Sequence, residues 1–232
     1  MSQLKNIKLA TPTYKEIIPS TKKEVTISPF KVGDEKVLLI ASESKDVVQM
    51  VSSLKSVINN CVDGEVVENL SSFDVEYLFL KIRAVSVGET ANLMLACKEC
   101  ETANEFSVDL SALEVRGIED FNKNVRLTDD LAFEMLSPDI ETLAKADSSP
   151  ESIINFIASN VKNVFYGEET IEVTPDQVED VVDIINQLTA AQFSDLQKYI
   201  LSIPKVSYDV EFECKHCGAK NQNTLEGLSD FF

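Results

Sequence analysis

Two Cys-x-x-Cys motifs, far apart in the sequence, limit what this chain can fold into more than any other feature. They are Cys97–Cys100 and Cys214–Cys217, and they contain four of the five cysteines. A two-residue gap lets a tight turn direct both sulfurs toward one ion, so two such turns supply four tetrahedral thiolate ligands. The sequence therefore predicts one structural zinc ion bound by Cys97, Cys100, Cys214 and Cys217.

The residues around both motifs favour a zinc ribbon that is split into two halves. Strand-like sequences lead into each motif and away from it, over 90–96, 106–110 and 206–213. The spacing is unusual, because 113 residues separate Cys100 from Cys214, whereas about fifteen to twenty are usual. The entropy of loop closure rises only slowly with loop length, so one ion can still join the two halves. The segment between them is then an insertion.

Redox dithiols, disulfides or free thiols are the alternatives to zinc at these cysteines. Neither motif lies at the strand-to-helix junction that lowers the pKa of a thioredoxin-type thiol. Four sulfur ligands would leave no position for water, which argues against metal catalysis. His216 is the only histidine. With Lys98 and Lys215 it is predicted to offset the negative charge of the thiolates. The alternative is that His216 takes the place of one cysteine as a metal ligand. We therefore predict no catalytic residue and no enzyme.

The net charge and the composition of the chain limit the classes of molecule that it is expected to bind. A formal net charge of −18 repels phosphate backbones, which predicts protein partners with basic patches and no nucleic acid. No run of about eighteen apolar residues and no signal sequence is present, so we expect no membrane partner and a cytosolic location. No glycine-rich phosphate loop is present either, and we expect no small-molecule substrate.

The N-terminal third divides into an extended arm over 1–31 and a helical part over 32–89. The arm contains three prolines and is either partly disordered or ordered by a partner. Helices are predicted from Val32, from a cap at Ser44 and from a capping box at Ser72. The apolar stripe of the second helix includes Cys61, which we interpret as a core residue. The third helix is apolar on most sides and is predicted to be central, with one solvated face that carries its charged residues Asp74, Glu76, Lys81 and Arg83.

The ribbon halves are predicted over 90–138 and 204–232, and a helical insertion over 139–203. A β-hairpin is expected around Asp129-Asp130, and capping boxes at Thr174 and Thr189 predict an antiparallel helical hairpin. The terminal Phe231 and Phe232 would either cover a groove in the fold or enter a pocket on a partner. The predicted class is α+β: a split zinc ribbon of two strand-turn-strand units, an N-terminal helical part and a helical insertion.

Four sequence pieces together resemble the baseplate protein family of T-even-like contractile-tailed bacteriophages. They are Val32–Ala41, Ile58–Val62, Phe73–Glu89 and Cys97–Cys100. Members of that family are described as baseplate hub subunits or hub assembly proteins. The resemblance implies a non-enzymatic role in building the hub, other baseplate hub proteins as partners, and a place in the host cytoplasm during assembly or in the virion. A zinc-ribbon adaptor that binds a host or phage protein is the alternative.

Overall fold

Short antiparallel hairpins alternate with helices along the chain. A computed structural model describes residues 9–44, 46–64 and 70–231, except the side chain of Ser229. Within these ranges the protein is α+β, with seven α-helices and four small antiparallel sheets. None of the helices described is long and apolar enough to cross a membrane.

The predicted N-terminal arm forms part of the fold over most of its described length. Strands β1 (Tyr14–Ile17) and β2 (Glu24–Ile27) pair as a hairpin, and β2 also pairs with β3 (Val62–Asp63). Ile18 and Ile27 are fully buried. The hairpin therefore packs on this chain's own core. This differs from the predicted arm, which was expected to be partly disordered or ordered by a partner. Residues 1–8 of the predicted arm lie outside the described residues.

Three helices follow as predicted, with two corrections at their starts. They are α1 (Val32–Ser44), α2 (Val47–Cys61) and α3 (Ser72–Val87). The N-cap of α2 is Asp46 and not Ser44, because the carboxylate accepts hydrogen bonds from two backbone N–H groups of the first turn. The capping box of α3 uses Ser71 and Asp74, one residue before the predicted start.

Helix α3 is central, as predicted, and belongs to two hydrophobic cores. Leu78 and Ile82 are fully buried in a first core with α2 and the N-terminal sheet, where Cys61 is also buried. Leu80 and Ala84 pack into another core, formed with the hairpins that carry the two cysteine motifs. The helix therefore connects the N-terminal part to the hairpins.

The predicted solvated face of α3 is wrong. Asp74 is fully buried and Glu76 and Lys81 are each 8% exposed. Asp74 accepts hydrogen bonds from the Ser20 backbone N–H at 2.9 Å and the Ser20 hydroxyl at 2.6 Å, and the Lys81 ammonium donates to the Ser111 carbonyl at 2.7 Å. A helix packed from several sides leaves its polar groups no water, so they bind protein groups instead.

Five strands follow α3. They are β4 (Thr90–Ala96), β5 (Ala103–Asp109), β6 (Glu114–Arg116), β7 (Asn124–Arg126) and β8 (Leu131–Met135). Strands β7 and β8 form the hairpin predicted around Asp129-Asp130. Strand β6 pairs with a strand near the C-terminus.

The segment 139–203 contains strands as well as helices, so the prediction of helices alone is wrong. It comprises α4 (Ile140–Lys145), α5 (Pro150–Ser159), β9 (Val161–Tyr166), β10 (Glu169–Glu172), α6 (Val178–Asn186) and α7 (Ala190–Ser202). Strands β9 and β10 extend the β7–β8 hairpin into the sheet order β10-β9-β8-β7. The apolar stripe of α5 continues into β9, whose β-branched and aromatic residues favour a strand. Both predicted capping boxes, at Thr174 and Thr189, are present.

The C-terminal strands β11 (Lys205–Glu213) and β12 (Lys220–Glu226) form a sheet of order β12-β11-β6. Val206, Val210 and Leu225 are buried in the core that includes Leu80 of α3. Phe231 is fully buried in the same core, so this aromatic fills the fold. Phe232 lies outside the described residues.

Candidate metal centre

The two Cys-x-x-Cys motifs occupy the turns of two hairpins, β4–β5 and β11–β12, that have the same register. Leu93 pairs with Phe106 in the first hairpin, and Val210 pairs with Asn223 at the corresponding position of the second. The chain therefore builds the same strand-turn-strand unit twice, as the flanking sequences predicted.

The first turn is closed by two backbone hydrogen bonds. The Cys97 N–H donates to the Thr102 carbonyl at 3.0 Å, and the Glu101 N–H donates to the Cys97 carbonyl at 2.9 Å. Glu101 has φ +58°, a left-handed conformation that is unfavourable for a residue with a Cβ.

The second turn repeats both bonds. The Cys214 N–H donates to the Ala219 carbonyl at 2.8 Å, and the Gly218 N–H donates to the Cys214 carbonyl at 2.9 Å. Gly218 has φ +72° at the position that corresponds to Glu101. Glycine adopts this conformation without steric strain.

The structure brings the four predicted cysteines together. Their sulfur atoms all lie within 4.8 Å of one another. Two of the distances between the hairpins, Cys97 Sγ to Cys217 Sγ and Cys100 Sγ to Cys214 Sγ, are 3.7 Å. Zinc–sulfur bonds of about 2.3 Å give a regular tetrahedron edges of about 3.8 Å. The spacing therefore fits one ion held by four thiolates, two from each hairpin. All five cysteines are free of disulfides.

The cluster is closed toward the core and open on one side. Cys97 and Cys214, the first cysteine of each motif, are 1% and 2% exposed. Cys100 is half-buried and Cys217 is exposed. Cys97 and Cys214 would thus hold a bound ion from the buried side, and Cys217 would hold it from the surface side.

Asn221 of the second hairpin reaches across to the first cysteine motif. Its side-chain N–H donates to Cys97 Sγ at 3.4 Å, and its amide oxygen accepts a hydrogen bond from the Lys98 backbone N–H at 2.8 Å. It also donates to the carbonyl of Ala219 in its own turn at 3.0 Å. The residue is 4% exposed, so these bonds replace water.

Asn104 of the first hairpin makes the reciprocal contacts. Its side-chain N–H donates to Cys214 Sγ at 3.6 Å, its oxygen accepts from the Lys215 backbone N–H at 3.0 Å, and it donates to the Thr102 carbonyl at 2.8 Å. It is also 4% exposed. Sequence reasoning missed both asparagines, although each is the fourth residue after the second cysteine of its motif.

Backbone amides favour the thiolate form of the two buried cysteines. Hydrogen bonds from the N–H groups of Cys217 and then His216 lower the pKa of Cys214 to about 6. Hydrogen bonds from the N–H groups of Cys100 and Glu99 likewise lower the pKa of Cys97. Both buried sulfurs are therefore prepared for the deprotonated form that a metal requires.

The exposed Cys217 behaves differently in the metal-free protein. The Ala219 N–H lowers its pKa, but the nearby sulfur of Cys100, burial, and the sulfurs of Cys214 and Cys97 together raise that pKa to about 12. Hydrogen bonds to the neighbouring sulfurs favour the protonated form of this thiol. A cation bound among the four sulfurs would favour the thiolate form instead.

Of the residues predicted to balance the thiolate charge, His216 contacts a sulfur through its backbone. The His216 N–H donates to Cys214 Sγ at 3.4 Å. Among the described residues the cluster consists of the four cysteines alone, so the imidazole is not one of its members. The Lys98 ammonium donates to the Gln222 carbonyl and so connects the first turn to β12.

Fold and site together define an α+β protein in which two hairpins, far apart in the sequence, gather four cysteines. The model of a family described as T4 bacteriophage base plate protein matches residues 11–232. The chain belongs to this family and is a T4-like phage baseplate protein, which confirms the resemblance seen in the four sequence pieces. No curated protein and no solved structure matches the chain.

Proposed function

We propose that this chain is a non-enzymatic structural protein that acts in assembly of the baseplate hub and contains one structural zinc ion. Membership of the baseplate family supports a structural role among other baseplate proteins. The assignment to the hub rests on the resemblance of the four sequence pieces. The convergence of four cysteine sulfurs from two distant segments carries the proposal of a metal.

The donor set favours zinc. Soft thiolate ligands in a tetrahedral arrangement suit zinc, and a site with four protein ligands is typical of structural rather than catalytic zinc. Tetrahedral iron also accepts four thiolates, so elemental analysis has to separate the two metals. Bound zinc supplies a fixed positive centre that holds four mutually repelling thiolates together.

The protein's own residues would give such an ion a mechanical role. Cys97 and Cys100 lie before the segment 101–213 and Cys214 and Cys217 lie after it, so a common ion closes that segment into a loop. The crossed hydrogen bonds of Asn104 and Asn221 align the two turns and direct N–H groups at the buried sulfurs. Amide donors of this kind reduce the charge on the thiolates and fix their orientation.

The acidic surface supports protein partners for the assembled hub. A net charge of −18 favours fast association with basic protein surfaces and opposes contact with DNA phosphates. We propose that other baseplate hub proteins supply those surfaces in the host cytoplasm, and that the chain is then either a resident subunit or a chaperone that leaves.

Two measurements test this proposal. Elemental analysis of protein purified without chelators should find about one zinc per chain, as expected for a single site with four cysteine ligands, and its absence, or iron in its place, would contradict the zinc. A pull-down from infected cells should recover baseplate hub proteins. Recovery of a host transcription or signalling protein without them would instead support an adaptor. Mass spectrometry of purified virions then separates a resident subunit from a departing chaperone.

A further inference from the structure

Helix α1 exposes an apolar face that nothing in the described part of the chain covers. Ala41 is its only buried residue, and Leu38 packs half-buried against the first core. On the outer side Val32 is 82% exposed, Leu39 58% and Ile40 51%. A surface helix normally directs its large aliphatic residues inward, so this helix is arranged for a second contact.

The same outer face carries two charges of opposite sign. Val32, Lys36, Leu39 and Glu43 follow each other at intervals of four, three and four residues, the spacing of a seam between paired helices. Both charged residues are exposed. Among the described residues neither Lys36 nor Glu43 takes part in an ion pair.

The order of these residues makes the face complementary to itself. The sequence midpoint between Lys36 and Glu43 falls between Leu39 and Ile40. When two copies of α1 pack antiparallel about a two-fold axis at that point, Lys36 of each copy meets Glu43 of the other. Leu39 of each then lies against Ile40 of the other. The face on one copy is thus complementary to the same face on the other copy, as a two-fold symmetric interface requires.

We propose that the outer face of α1 is a self-association surface, on which a second copy of this chain packs with its α1 antiparallel to the first. The charge of −18 on each copy opposes the pairing at long range. Screening limits that repulsion to about 8 Å at physiological ionic strength, whereas the contacts between Lys36 and Glu43 are direct. A helix of 13 residues is about 20 Å long, so the contact is small and the dimer is weak.

Sedimentation equilibrium of the full chain at physiological ionic strength tests the proposal, over concentrations from about 5 to 300 μM. The wild type should be a monomer at the low end and largely a dimer at the high end. Lys36→Glu and Glu43→Lys should each weaken association about tenfold, since two-fold symmetry makes every reversal act at two contacts. The double variant K36E/E43K should restore most of the wild-type affinity.

A matched control changes the net charge without touching this face. Glu179→Lys on α6 alters the charge as much as Glu43→Lys does, and its side chain is also exposed; it should leave association at least as strong as in the wild type. A wild type that stays monomeric throughout would overturn the proposal and leave the face to a different protein. Unchanged dimer affinity in both single variants would also overturn the proposal. So would a double variant whose dimer affinity is no higher than that of either single variant. Circular dichroism verifies that each variant is folded.

Discussion

Asn104 and Asn221 occupy corresponding positions in two hairpins, and each donates its side-chain N–H to a cysteine sulfur of the other hairpin. Each also accepts the backbone N–H of the residue that follows that cysteine. The contact between the two hairpins is thus reciprocal and is present in the protein's own side chains. A metal ion would consolidate an alignment that these amides already establish.

Replacing either asparagine should therefore loosen the metal centre. Asn104→Ala and Asn221→Ala each remove a donor to a buried sulfur and leave a backbone N–H without its partner, and loss of an outer partner typically costs about ten- to a hundredfold in metal affinity. The measurement is the rate of zinc transfer to a chromogenic chelator. Asn→Asp at either position should release zinc faster still, because it places a carboxylate beside a thiolate.

The control for this experiment is Asn186→Ala at the exposed end of α6, which should release zinc at the wild-type rate. Wild-type release from both Asn104 and Asn221 variants would contradict the role of the crossed amides. If the wild type itself holds no zinc, the zinc proposal fails instead, so the two failures are distinguishable.

Each of the four cysteines should be needed for the metal. Replacing Cys97, Cys100, Cys214 or Cys217 by serine removes one thiolate and should reduce bound zinc well below one ion per chain. The segment 101–213 then loses its closure and should become more sensitive to limited proteolysis. Cys61→Ala is the matched control, since this cysteine is buried in the first core; it should lower stability but keep the metal. Full zinc retention in all four serine variants would refute the shared site.

The stability of the fold should depend on the protonation of Glu76. Burial raises the pKa of this carboxyl to about 7, although a hydrogen bond from the Leu228 backbone and the charge of Lys205 oppose the shift. The unfolded chain releases the proton near its ordinary value of 4.5. The folded state holds it to higher pH, so this group destabilises the fold progressively as pH rises from about 4.5 to 7.

Glu76→Gln removes that dependence. The variant should match the wild type near pH 4.5 and exceed its free energy of unfolding by up to about 3 kcal/mol at pH 8, the upper limit set by the shift in pKa. Urea titrations at several pH values measure the difference, with the exposed Glu179→Gln as control. A difference that does not change with pH would contradict the prediction.

The first cysteine turn should be improved by glycine. Glu101 has φ +58°, while Gly218 occupies the corresponding position of the second turn. Glu101→Gly should raise the free energy of unfolding by about 0.5–1 kcal/mol, because relief of the left-handed strain exceeds the added freedom of the unfolded chain. Glu99 in the same turn is not in a left-handed conformation, so Glu99→Gly should lower the free energy of unfolding. Thermal unfolding of both variants with metal bound compares the two effects. Equal effects of the two changes would rule out the conformational explanation.

Local signals in the sequence are sufficient for the capping boxes at Thr174 and Thr189 and for the cysteine cluster. Thr174 and Thr189 were recognised because a capping box depends on residues only three positions apart. The four cysteines were recognised because the chemistry of a Cys-x-x-Cys turn is local, even though the two turns are distant. The hairpin at Asp129-Asp130 has the same origin in a short turn between alternating residues.

The predictions that were wrong or missing depend on contacts between residues that are distant in the sequence. Asp74 and Lys81 look like surface residues in the sequence, but in the fold they are buried and bind Ser20 and Ser111. The run from Val161 to Tyr166 reads as a continued helix, because short apolar runs do not distinguish the two structures. The roles of Asn104 and Asn221 depend on the two motifs facing each other in space, which neither motif alone predicts.

The position of α3 has a consequence for how the molecule comes apart. Leu78 and Leu80 are two positions apart in the sequence, yet both are inaccessible to water and they belong to different cores. Unfolding of either core would expose apolar side chains of α3 to water, and α3 is also part of the other core. The N-terminal sheet and the cysteine hairpins should therefore denature in a single transition, with the central helix transmitting the loss from one to the other.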